Sequence, residues 1–350
     1  MTVDLKQWAT WREIHSQPDI WEAWGKTLDV TGLRAWVADQ NADEIWFCGA
    51  GTSAYIGDII AAGLNGVRSI PSTDLVSRPQ HYCDGARPLV VSFGRSGNST
   101  ESIGTLDVLD ALAPDAPRLH ITCNKDSALA TRASSAAQKV IVLPDETHDA
   151  GFAMTSSFST MLLTALALFD EPSDFPAQMA RLADELRGVL HDFPATPRPL
   201  RAVYLGTGPL AFAAREAALK VMELSAGQIP ALWDSTLGFR HGPKSFVTDG
   251  TAITLFQSPD APANAYEADL ADELRAQFPR SRVTTIGPNG DVPIDMSFGA
   301  MWAAPLVIAT AQMDAVRWSQ DLGLNVDDPF VGQGTLSRVV AGVKLYSVSP

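Results

Sequence analysis

Residues Val90 to Ser102 read V-V-S-F-G-R-S-G-N-S-T-E-S, an apolar run that passes through glycines and small hydroxyl residues into a helix start. The run Leu89 to Phe93 has strand character, while Thr100 and Glu101 followed by Ile103, Leu106 and Leu109 suit the first turns of an amphipathic helix. Gly94 and Gly97 let the backbone approach a ligand closely. Ser96, Ser99 and Thr100 set hydroxyls beside the free N–H groups of the helix start, joined by the amides of Gly97 and Asn98. An oxyanion there would meet several donors and the positive helix end at once, so the segment reads as a phosphate seat. The same residues also suit an ordinary βα turn capped by Ser99 or Thr100, and local spacing alone does not separate the two.

Outward from this loop, strand and helix patterns alternate. Strands are expected at Ile45 to Cys48, Arg68 to Ile70, Leu89 to Phe93, Leu119 to Cys123 and Val140 to Leu143, with helices between them. This rhythm predicts an α/β fold whose parallel sheet is covered on both faces. The proline-rich stretch D-F-P-A-T-P-R-P at Asp192 to Pro199 follows a helix expected from Phe175 to Leu190, and a second βα series opens at Arg201. Both series begin alike, I-W-F-C-G-A-G-T-S-A at Ile45 and A-V-Y-L-G-T-G-P-L-A at Ala202, which points to an internal duplication. Where the first copy has its S-G-N-S-T loop, the second reads I-T-L-F-Q-S-P-D; Pro259 removes a donor and Asp260 would repel an anion. Neither G-x-G completes the dinucleotide fingerprint, so a nicotinamide cofactor is set aside. The expected division is a helical segment over 1–40, a first domain over 41–192 and a second over 198–350.

Composition narrows the partners. A chain of 350 residues with 46% hydrophobic and 19% charged residues can bury two cores, and its net charge of -14 excludes broad nucleic-acid or anionic-membrane contacts. Cys48, Cys83 and Cys123 have no metal-type spacing and read as free thiols in a reducing cytoplasm. No cofactor or metal motif is present. The longest apolar stretch, Phe158 to Phe169, is too short to span a bilayer, and the N-terminus lacks the apolar core of a signal peptide. Trp8, Trp11, Trp21, Trp24 and Trp36 suit amphipathic helices that lay aromatic faces on a larger body.

A second constellation lies between Ala211 and Pro243. Glu216, Lys220 and Glu223 fall at i, i+4 and i+7 of a strong helix and share one face. The face reads either as a solvated ladder of ion pairs or as part of a site. Glu223 lies near the helix end, where the dipole disfavours a carboxylate, and such a setting suits a proton shuttle near neutrality. His241, followed by Gly242 and Pro243, stands in a loop whose neighbours fix the backbone and add no bulk.

The strings G-T-S, S-G-N-S, A-L-K-x-x-E and R-H-G-P, in this order, resemble the sugar isomerase (SIS) family in two tandem copies, over about nine-tenths of the chain. R-S-G-N-S-T-E-S, I-T-C-N, E-T-H-D and A-M-T-S-S resemble its branch of tagatose-6-phosphate ketose/aldose isomerases and galactosamine-6-phosphate deaminases. The resemblance implies two mainly parallel five-stranded sheets in flavodoxin-like three-layer domains. It implies an amino-hexose 6-phosphate as substrate, converted from galactosamine 6-phosphate to tagatose 6-phosphate with loss of ammonia. A non-deaminating isomerase differs only in the leaving group at C2, and a non-catalytic sugar-phosphate-binding regulator is the other alternative. By this resemblance Glu223 carries the proton between C2 and C1, and His241 assists ring opening across the interface of a homodimer. Ser53, Arg95, Ser96, Gly97, Asn98, Ser99 and Thr100 hold the phosphate. Thr155, Ser156 and Ser157 join the substrate contacts or cap a helix, and His148 and Lys220 are candidate sugar contacts. Two departures are visible: Gly94 lacks the usual first hydroxyl, and Arg338 stands where the family has a lysine near the sugar. An arginine at that place does not form a Schiff base.

Overall fold

Both G-x-G turns do the same thing to the backbone. In the computed structural model, which describes residues 4–83 and 85–348, Gly51 and Gly208 both take a φ of 56°, a left-handed conformation open to glycine, and a helix starts at the next residue of each. The first series runs β1 (Ile45–Cys48), α3 (Thr52–Ala61), β2 (Val67–Ser69), the short α4 (Ser72–Ser77) and α5 (Pro79–Tyr82), then β3 (Leu89–Gly94) and α6 (Thr100–Leu112). It continues through β4 (Arg118–Thr122), α7 (Ala128–Thr131), β5 (Gln138–Val142), α8 (Ser156–Phe169) and α9 (Phe175–Asp192). Ahead of it lie α1 (Ala9–Thr27) and α2 (Val30–Asp39). The second series is β6 (Arg201–Gly206), α10 (Pro209–Leu224), β7 (Ala231–Ser235), β8 (Thr251–Phe256), α11 (Ala263–Gln277), β9 (Arg282–Gly287), β10 (Val292–Pro293) and α12 (Ala300–Asp321).

The strand orders are β2-β1-β3-β4-β5 and, read in the same sense, β7-β6-β8-β9-β10. Every pairing is parallel. Both copies therefore have one topology, the doubly wound α/β order in which ligands bind outside the carboxyl ends of the strands where the order reverses. The expected strand positions are right to within one or two residues. β4 and β5 begin earlier than their apolar runs suggest, because the polar Arg118 and Gln138 pair in register. Arg118 tolerates this burial through an ion pair with Asp110 at 2.7 Å.

One apolar core joins the two sheets, drawing Trp21 from α1, Met161 from α8, Leu186 from α9, Ala217 from α10 and Val307 from α12. The indoles of the N-terminal helices are the amphipathic anchors their pattern suggests: Trp21 donates to Ser159 Oγ (3.1 Å) and Trp24 to Thr164 Oγ1 (2.9 Å), while their rings pack on the core. Burial of α8 on all sides explains its uninterrupted apolar run. Among the described residues no helix is long and apolar enough to cross a membrane.

Candidate active site

A cleft of about 680 Å³ opens at the carboxyl ends of β1 and β3, the reversal point of the first sheet. Its floor is Ala50–Ser53 after β1 and Gly94–Gly97 with Ser99 after β3. One wall is the end of α10, with Leu219, Met222 and Glu223; the other is the C-terminal segment Leu336–Val340.

The loop after β3 is shaped as its glycines suggest. Gly97 takes a φ of 62°, and a side chain there would collide with Ser127. Ser99 is the N-cap of α6: its hydroxyl accepts from the Ser102 N–H at 3.2 Å and lies 2.7 Å from the Ser102 hydroxyl. Ser99 thus caps the helix and also lines the cleft. The missing hydroxyl at Gly94 has a steric reason, since a Cβ there would stand 2.9 Å from Leu129 Cδ1 and 3.2 Å from the Gly97 Cα. Thr100 and Asn98 lie outside the cleft wall. The Thr100 N–H donates to the Val340 carbonyl (3.3 Å), and Asn98 Oδ1 accepts from the Ala128 N–H (2.8 Å).

On α10 the face of Glu216, Lys220 and Glu223 is not a solvated ladder. Glu216 and Lys220 are fully buried, and Glu223 keeps a quarter of its side chain exposed at the cleft. Lys220 Nζ lies 2.6 Å from Glu223 Oε2 and 3.2 Å from Glu216 Oε1, and donates to Thr52 Oγ1 at 3.0 Å. Burial pushes the Glu216 carboxyl up to about 7, with Lys220 pulling it back and Glu223 adding to the rise. Burial pulls the Lys220 ammonium down, yet the two carboxylates outweigh it and hold the group charged. Lys220 is therefore behind Glu223 and off the cleft wall; it orients Glu223 from below instead of reaching a sugar. Thr52, which the sequence reading passed over, ties this group to the first G-x-G loop, donating to Glu216 at 3.2 Å.

Five expected site residues lie elsewhere. The hydroxyls and amides of Thr155, Ser156 and Ser157 all donate to the Asp149 carboxylate, which occupies the N-terminus of α8. They are fully buried and do not line the cleft; the acceptor at the helix start is the Asp149 carboxylate, and Thr155, in the N-cap position, makes no side-chain cap bond of its own. His148 is exposed and also off the wall; burial, then the charges of Arg338 and Arg95, pull its imidazole below the ordinary range. His241 is exposed on the segment after β7, outside the cleft that Glu223 lines.

Arg95 does line the cleft, but its guanidinium donates to the carbonyls of Gly151 (3.3 Å), Phe152 (3.2 Å) and Arg338 (2.9 Å). Arg338 in turn donates to the carbonyls of Asp149 (2.9 Å) and Ala150 (2.6 Å). The two cations pin residues 149–152 and the C-terminal segment together beside the floor of the cleft. In the second copy the corresponding loop is closed by the chain itself: the Ser258 N–H and hydroxyl donate to the buried Glu267 carboxylate at 2.6 and 2.8 Å. An internal anion sits there, where the first copy leaves a cleft.

No family model matches the chain. It is similar to the D-galactosamine-6-phosphate deaminase AgaS of Escherichia coli, with 38% identity over 96% of both chains. It is similar also to the deaminase of that name from Shewanella sp. (strain ANA-3), at 36% identity over 96% of this chain and 91% of the relative. Among solved structures, the tagatose-6-phosphate ketose/aldose isomerase from Escherichia coli superposes with a TM-score of 0.87 at 34% identity, covering 97% of this chain and 96% of the other. Similarity of this extent, on a tandem fold with one cleft at the carboxyl ends of the first sheet, shows that the chain belongs to the sugar isomerase (SIS) family, in its branch of galactosamine-6-phosphate deaminases and tagatose-6-phosphate ketose/aldose isomerases.

Proposed function

We propose that this protein converts galactosamine 6-phosphate and water to tagatose 6-phosphate and ammonia. The observation that carries the reading is the placement of Glu223 on the wall of the same cleft that Ser53, Ser96 and Ser99 floor. In the open-chain aminoaldose, Glu223 takes the C2 proton and leaves a 1,2-enaminol. Returning that proton to C1 gives the C2 ketimine, which water hydrolyses to the ketone and ammonia. Lys220 stays charged throughout and holds the carboxylate in place. The 6-phosphate rests on the Ser53, Ser96 and Ser99 hydroxyls and the Gly97 amide, in the positive field of Arg95, Arg338 and the α6 N-terminus.

His241 is assigned to ring opening, supplied by the second subunit of a homodimer; its place outside the cleft lining of its own chain supports a contribution in trans. The buried thiols of Cys48 and Cys123, neither of them in a disulfide, support a reducing cytoplasm. The deciding measurement follows ammonia and ketose together when the protein meets galactosamine 6-phosphate, glucosamine 6-phosphate and tagatose 6-phosphate. Stoichiometric ammonia and tagatose 6-phosphate are expected from the first. Interconversion of non-amino sugar phosphates with no ammonia from either amino sugar would replace the reading by the simple isomerase.

Replacing Ser96 and Ser99 by Ala is expected to weaken sugar-phosphate binding by roughly 1.5–3 kcal/mol for each lost bond to the anion. Affinity for the unphosphorylated sugar should stay unchanged. Loss of Ser99 also removes a cap, so its melting temperature is measured alongside. Equal wild-type affinity for phosphorylated and unphosphorylated sugar would exclude the seat.

A further inference from the structure

We propose that Glu13, on α1 and far from the chemistry in sequence, is a positioning residue for the cleft: it sets the backbone loop that holds Arg95 and Arg338. The loop is Asp149 to Phe152, and its backbone groups point in two directions. All four carbonyls accept from the two guanidinium groups, those of Asp149 and Ala150 from Arg338 and those of Gly151 and Phe152 from Arg95. On the amide side, the Ala150 and Gly151 N–H groups donate to Glu13 Oε1 at 2.6 and 3.2 Å, and the Phe152 N–H donates to the Asp327 carbonyl at 2.9 Å. Removing Glu13 frees the Ala150 and Gly151 amides and leaves only the Phe152 N–H to fix the direction in which the carbonyls hold the cations.

Packing enforces the contact. A Cβ on Gly151 would collide with Thr10 Oγ1 and approach Glu13 Oε2 to 3.1 Å, so the loop lies flat on α1 only because this residue is glycine. Glu13 Oε2 is buried without a hydrogen-bond partner. α1 is itself tied to the C-terminal segment by Asp327, whose carboxylate accepts from the Ala9 and Thr10 N–H groups, each at 2.8 Å. One hub thus joins the N-terminal helix, the loop after β3 and the C-terminal wall of the cleft.

The charged groups around Glu13 are the Asp149 and Asp327 carboxylates on its own side and Arg95 and Arg338 across the loop. Burial pushes the Glu13 carboxyl up to about 7, Asp149 adds to the rise, and the two amide bonds oppose it. A group raised in the folded state stabilises it fully below its unfolded value, and that contribution is lost as pH rises through about 7. The two amide bonds favour the ionised carboxylate, whereas burial and the neighbouring carboxylates oppose it.

This inference rests on the phosphate-seat reading for its kinetic consequence but not for its structural one, and the test separates them. Hydrogen exchange at the 149–152 amides and the kinetics on galactosamine 6-phosphate are measured on the full chain for wild type, Glu13→Ala, Glu13→Gln and Gly151→Ala. Glu13→Ala is expected to lower protection of the Ala150 and Gly151 amides and to raise KM, each on the order of tenfold, with kcat within about twofold of wild type. Glu13→Gln keeps an acceptor oxygen and restores most of both. Gly151→Ala displaces the loop with the carboxylate intact and is expected to raise KM as Glu13→Ala does. Wild-type protection and KM in Glu13→Ala would overturn the proposal. If wild type turns over no amino-sugar phosphate, the functional reading fails, and the exchange data alone then decide whether Glu13 holds the loop.

Discussion

Glu223→Gln is expected to lower kcat by roughly 10²–10⁴, the range that a positioned proton-transfer group contributes, while leaving KM within about threefold of wild type. The substitution is close to isosteric, and the amide oxygen still accepts from Lys220, so the buried base of the site keeps its partner. What disappears is the ability to take a proton from C2 and give it back at C1. Exchange of the C2 hydrogen with deuterium from solvent is the sharper readout, because it reports the first step without requiring ammonia release. A Gln variant that still exchanges C2 at the wild-type rate would remove Glu223 from the reaction. Parallel loss of affinity would instead mean that its charge serves binding, since an interaction made equally in ground and transition states moves KM and not kcat.

The second large effect is on stability. Lys220→Met leaves Glu216 buried with no counter-charge, and breaking a buried pair from one side costs about 3–5 kcal/mol. Denaturant unfolding should show that loss. Its pH dependence has a definite sign. Glu216 in the folded wild type is raised above its unfolded value, so its contribution is present in acid and lost as pH rises through about 7. Lys220 limits the rise; without it the folded carboxyl is raised further, and the gap between variant and wild type should widen as pH increases through 7. A gap that stays constant from about two pH units below neutral to about two above would mean that Glu216 does not feel the ammonium. Replacing Glu216 by Gln in the same background should recover part of the loss, because it removes the buried carboxyl that Lys220 had compensated.

The two copies were legible because βα units write their topology locally. An apolar strand, a G-x-G turn and a helix of small residues recur at Ile45 and Ala202, and each becomes the first strand and helix of an identically ordered sheet. The loop after β3 was legible for the same reason: Gly97 must adopt a positive φ, and Ser99 must cap the helix that follows. Glu216, Lys220 and Glu223 were visible as a set through helical spacing, but spacing does not say which way the face turns. Only packing of α10 against α3 and α12 shows that two of the three are buried and that Thr52 from the other copy joins them.

The branch-specific strings left two roles open for their hydroxyls, and the reason the spacing could not choose is physical. Thr155, Ser156 and Ser157 have the hydroxyls a sugar site needs, yet a helix start needs an acceptor first, and Asp149 a few residues earlier supplies it from within the chain. Arg95 was expected to meet the anion through its donors; instead backbone carbonyls from residues 151, 152 and 338 take them, bonds between segments far apart in sequence. The sequence by itself determined the doubly wound architecture, its duplication and the copy whose loop after the third strand stays open, since these follow from local backbone conformation and from periodicity. Tertiary structure alone decided which polar side chains remain free to meet a ligand. Whether a hydroxyl, guanidinium or carboxylate is already satisfied depends on partners that folding brings together from remote parts of the chain.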